Sequence, residues 1–129
     1  MNEHEQGFLQ FLAEPSKRRI GVLLNKGAKR RSDVRSALHH AVRLDDRYAK
    51  PLSGSQAFPA PIFELLTQRG AGSTCYVIGG GELDGKEVPL DRALESICGD
   101  GNGAFVSCLA GRLGYFEFEE MKSSFVLER

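Results

Sequence analysis

The densest chemistry in this chain is basic. Lys26, Lys29, Arg30, Arg31 and Arg35 crowd one short stretch. With Lys17, Arg18 and Arg19 they set eight basic residues against one acid, Asp33, between positions 17 and 35. A guanidinium offers a planar fork that matches phosphate oxygens. Ser32 and Asp33 mark the start of a helix, whose free N–H groups and dipole also favour anions. The loop 26–35 therefore reads as a candidate site for phosphate or for a nucleic-acid backbone. No aromatic residue stands in the run to stack on bases, which argues against single strands. The plain alternative is a solvated loop that pairs with acids elsewhere in the chain.

Other reactive side chains form no set. His39 and His40 are adjacent in sequence, so on a helix they point about 100° apart and cannot chelate together. Cys75, Cys98 and Cys108 are odd in number, and no pair has the two-residue gap of a redox or zinc motif. In a reducing compartment they read as small buried hydrophobes. A cysteine nucleophile needs a base, and only His39 or His40 from a distant segment could supply one. The run GGGELDG, 79–85, has Asp84 where a dinucleotide loop needs its third glycine, and Glu82 and Asp84 would repel phosphate. It reads as a turn closing a small hairpin. Asp100 and Asn102 in DGNG open like a calcium loop, but Ala104 stands at the fifth position, a ligand position, and Phe105 at the sixth, where the loop has glycine, so they read as turn formers. No catalytic residue, metal set or cofactor site is assigned.

These residues must be positioned by an alternating pattern of helices and strands. Asn2 and Glu5 form a capping box for a helix over residues 2–13, with Gly7 weakening it and Pro15 ending it. The nearly continuous apolar residues of RRIGVLLN predict a strand over 18–25, central in the sheet and covered on both faces. A helix follows from Ser32 to about Arg47. A loop through 50–59 leads to a short helix begun by Pro61 and ended at Gly70. The stretch 74–120 then gives strand, glycine-rich turn, helix and hairpin. Within the hairpin, Phe116 and Phe118 alternate with Tyr115, Glu117 and Glu119, which predicts the first pair inward and the other three in water. Residues 124–128 make a last strand. The expected fold is α+β: a mostly antiparallel sheet of four or five strands, with helices largely on one face.

The 129 residues fit one domain, and 41% hydrophobic with 26% charged residues is an ordinary globular balance. No apolar run approaches the about 20 residues of a membrane span. The opening MNEHEQGF is acidic and polar, unlike a signal peptide, so the expected location is cytoplasmic. Net charge is zero but unevenly divided. Residues 1–50 carry eleven Lys and Arg against six Asp and Glu, and the remainder carries six against eleven. Such asymmetry suits a partner surface or self-association. The leading expectation is a small non-enzymatic binding or regulatory domain acting through protein contacts. The alternatives are phosphate or nucleic-acid binding at 26–35, and a small enzyme whose site is assembled from dispersed residues.

Overall fold

The computed structural model describes residues 1–26, 31–40, 42–100, 103–119 and 123–129, with the side chains of residues 31, 39 and 40 outside that description. Helices α1 (Glu3–Leu9), α2 (Glu14–Asn25) and α3 (Arg31–His40) precede the edge strand β1 (Ala49–Pro51). Helix α4 (Pro59–Gln68), strands β2 (Thr74–Gly79) and β3 (Glu87–Pro89), and helix α5 (Leu90–Ile97) come next. Strands β4 (Ala104–Leu109), β5 (Leu113–Glu117) and β6 (Ser124–Glu128) complete the chain. The strands form one antiparallel sheet in the order β1-β6-β5-β4-β2-β3. The fold is α+β, with six strands where four or five are expected from the sequence. The strand without a counterpart in the sequence reading is β1, a three-residue edge too short to leave a periodic signal, while β3 is the short second strand of the hairpin closed by GGGELDG.

The helices cover both faces of the sheet, not largely one. Successive strand residues point to opposite sides, and each side has its own core. Ile78, Phe105, Phe116 and Leu127 pack against Phe8, Phe11, Ile20, Leu24 and Leu38 from α1, α2 and α3. Val77, Val106, Tyr115 and Val126 pack against Ile62 and Leu66 of α4 and Leu90, Leu94 and Ile97 of α5. Two predicted features fail for this reason. Tyr115 and Glu117 do not face water; both are buried beneath the α5 side.

The segment 18–25 is helical, within α2, and β4 and β5 hold the sheet centre. Pro15 starts this helix rather than merely ending the previous one. It stands in the first turn, where its missing N–H costs nothing. Burial then recurs every four residues, at Ser16, Ile20 and Leu24, while Val22 is half exposed. A short apolar run fits either period, and the proline decides it. The capping box of α1 forms as expected: Asn2 Oδ1 accepts from the Glu5 N–H at 2.8 Å, and Glu5 Oε1 accepts from the Asn2 N–H at 3.1 Å. Helix α1 is shorter than predicted because the chain turns after Leu9 and Leu12 bridges to Leu44. Helix α3 is described only to His40, short of the expected Arg47, and residues 44–48 run as a turn towards β1.

Gly7 sits where α1 crosses the β4–β5 turn. A Cβ there would overlap the Gly111 nitrogen and lie 2.8 Å from its Cα. The glycine that weakens α1 is therefore what lets it dock.

Candidate functional site

The basic run is only partly in view. Lys26 ends α2 and Arg35 lies on α3, both exposed. Lys29 and Arg30 lie outside the described residues, as does the Arg31 side chain. Arg18 and Arg19 are exposed on α2 and flank an open groove between α2 and α3 of about 560 Å³. Val22 and Leu23 supply its apolar wall, and Asp33 and Ser36 stand on the α3 side.

The thiols are not placed for chemistry. Cys75 and Cys108 are buried in the core beneath α4 and α5, and Cys98 is half-buried at the end of α5. Burial pushes the thiols of Cys75 and Cys108 up to about 12 and that of Cys98 to about 11, because an apolar surrounding disfavours the thiolate. His39 and His40 belong to α3, on the other side of the sheet from Cys75 and Cys108. The sheet therefore lies between those two thiols and helix α3. Among the described residues, no three His, Cys, Asp or Glu side chains come together as a metal set.

Two buried polar clusters carry no sequence signature. On the α1 side, His4 Nδ1 lies 2.7 Å from Ser107 Oγ, and its ring stacks on Tyr76 at 5.5 Å. The Tyr76 hydroxyl donates to Glu5 Oε2 at 3.1 Å. This brings a serine and a histidine together from positions 103 residues apart. Ser107 is only 1% exposed, however, so a substrate has no approach to its hydroxyl. The cluster ties α1 to the sheet. On the α5 side, Glu117 Oε1 accepts from the Gly99 N–H and from the Tyr115 hydroxyl, each at 2.9 Å. Burial pushes the Tyr115 hydroxyl far above its ordinary value, so it stays a donor. This pair fixes the end of α5 over β5. The capping box could flag Glu5, but nothing local marks Ser107 or Glu117.

The GGGELDG segment is the turn of the β2–β3 hairpin. Gly79, Gly80 and Gly81 all adopt positive φ, and Asp84 Oδ1 accepts from the Gly79 N–H at 2.8 Å. A carboxylate thus occupies the position where a phosphate loop would offer that N–H to its ligand.

The outer surface of α4 and α5 is different in kind. Phe58 is 59% exposed and Phe63 is 38% exposed. With Pro59 and Ala60 they line a groove of about 590 Å³, edged by Glu64, Asp91 and Glu95. Phe58 occupies the N-cap of α4 and makes no side-chain cap hydrogen bond. Ser, Thr, Asp or Asn at an N-cap is better by typically about 1 kcal/mol. Aromatic surface is therefore presented to solvent at a position where local stability favours a small polar residue. Sequence reading missed this groove because Phe58 falls in a loop and Phe63 on a helix whose buried stripe, Ile62 and Leu66, is sufficient to explain its pattern.

Comparison of the chain with protein-family models, with curated proteins and with solved structures returns no match. Among the described residues, no helix is long and apolar enough to cross a membrane.

Proposed function

We propose that this chain is a small cytoplasmic binding domain, non-enzymatic, that works through protein contacts at the α4–α5 groove. The observation that carries the reading is Phe58, an exposed aromatic residue at an N-cap that it caps poorly, beside the exposed Phe63 and a carboxylate rim. Aromatic residues at the centre of a polar rim are the usual anchors of protein interfaces. The placement of the reactive groups supports the same reading. Cys75, Cys108 and Ser107 are buried, and helix α3 lies across the sheet from the first two.

Phe58→Ser separates function from stability. It supplies a cap hydroxyl, so chemical denaturation should show a gain of about 0.5–1 kcal/mol. A photo-crosslinking phenylalanine at position 63 reports the contact in cells. It should yield a defined adduct that disappears when Phe58→Ser is added, while the same probe at Arg112 yields none. Loss of stability in Phe58→Ser, together with no adduct from position 63, would return Phe58 to a structural role.

A second reading keeps the basic run as a phosphate or nucleic-acid backbone site. Exposed Lys26 and Arg35 on either side of the α2–α3 connection favour it. Binding to a labelled duplex should then fall steeply with salt and weaken about equally for all sequences in Arg30→Ala/Arg31→Ala. Absence of binding at low salt removes it.

A further inference from the structure

We propose that the α4–α5 groove of one chain docks on the α2–α3 groove of a second copy, head to tail. This rests on the α4–α5 surface being the binding face. The partner is identified by complementarity within the molecule itself. One surface has an apolar centre, Phe58 and Phe63, inside a rim of Glu64, Asp91 and Glu95. The other has an apolar centre, Val22 at 50% exposure with Leu23, beside Arg18 and Arg19. Asp33, the acid on that second surface, already has a partner within its own chain. The overall division of charge matches: the half of the chain that builds α2 and α3 is basic, and the half that builds α4 and α5 is acidic. Opposite-sign rims around apolar centres align partners, raise the association rate and disfavour the like-with-like pairing of either groove.

The sheet lies between the two surfaces, because α2 and α3 cover one of its faces and α4 and α5 the other. A chain that uses both surfaces must contact two different neighbours. Such a contact is heterologous, so it propagates as a ring or an open stack and does not close as a twofold dimer. Weak, salt-sensitive growth is the expected behaviour, since each contact draws on a small apolar centre and an exposed charged rim.

Complementation tests this. Phe58→Ser/Phe63→Ser removes the anchors of one surface, and Val22→Asp sets a like charge against the carboxylate rim on the other. All three positions are exposed, and far-UV circular dichroism and melting check that both variants fold. Sedimentation velocity of the wild type should show growth with concentration that is lost at high salt. Each variant alone should stay monomeric, its self-association weakened at least about tenfold, as for loss of an interface anchor. An equimolar mixture should form a species of two chains and stop there, because each variant retains one intact surface. The pair Glu64→Gln/Glu95→Gln and Arg18→Gln/Arg19→Gln gives a second, milder version with the apolar centres kept.

Growth of the wild type with no two-chain species in either mixture would overturn head-to-tail docking. So would a wild type that is monomeric at every concentration. In that case the mass of the position-63 adduct separates the two ideas. Twice the chain's 14.2 kDa is required for self-docking, whereas any other mass leaves the binding face standing and removes the second copy as its partner.

Discussion

The two sides of the sheet solve the same burial problem with different residues. The α1–α3 side is aromatic: Phe8 stacks on Phe105 at 4.4 Å, and Phe116 and Phe11 close around them. The α4–α5 side is aliphatic with two buried thiols, and its aromatic member, Tyr115, is engaged by Glu117. Outside, the contrast reverses. Helix α2 presents arginines, while α4 presents two phenylalanines among carboxylates. Aromatic residues are thus interior on the α1–α3 side and exterior on the α4–α5 side, where the core is already filled by Ile62, Leu66 and the buried face of α5. A core needs volume, and a docking surface needs anchors that the core does not use.

Neighbouring residues of β4 give the largest test of this contrast. Phe105 points to one side and Val106 to the other. Phe105→Ala should cost about 3–5 kcal/mol and Val106→Ala clearly less, because the aromatic cluster leaves the larger cavity. Urea denaturation measures both, and equal losses would erase the distinction between the two cores.

A smaller effect, of opposite sign to helix propensity, is expected at the α1 crossing. Alanine is the better helix former by about 1 kcal/mol. Gly7→Ala should nevertheless destabilise, by about 1–3 kcal/mol, because its methyl meets the Gly111 backbone rather than a side chain that can move. A stabilised variant would mean that α1 does not approach the hairpin turn so closely.

A third effect is confined to alkaline pH. Folded thiols on the α4–α5 side titrate near 11–12, against an ordinary value of about 8.5. As pH rises past the ordinary value, the unfolded chain releases protons that the folded chain retains, so stability falls until the folded values are reached. Cys108→Ala should flatten this fall between about pH 9 and 12 relative to wild type. Hydrogen exchange should place the first loosening at α5 rather than α1, and loosening at α1 would break the contrast.

Much of the fold is legible along the chain where one signal acts alone. Leu90, Ala93, Leu94 and Ile97 make an unambiguous helical stripe ending near Gly99, and Asn2 with Glu5 mark a helix start. The strands β2, β4, β5 and β6 also follow from their apolar runs and turns. Legibility fails where two periods fit one run, as at Ile20, Val22, Leu23 and Leu24, and where a second layer covers a face that alternation alone assigns to water, as at Tyr115 and Glu117. The candidate site was less legible still. The basic run is visible as composition, but an exposed Phe58 at an N-cap becomes visible only once the helix start is known. The approach of His4 to Ser107 depends on how α1 crosses the sheet.

The most direct measurement follows one aromatic ring. Phe63 replaced by fluorophenylalanine gives a single fluorine resonance on the proposed docking face. Head-to-tail docking predicts that the line shifts and broadens as protein concentration rises at about 0.1 M salt, where the Debye length is about 10 Å. It should return to its dilute position at about 1 M, where that length is about 3 Å, or when Val22→Asp is present in every chain. A sharp line that is unchanged by concentration, salt and Val22→Asp would contradict self-docking through this face.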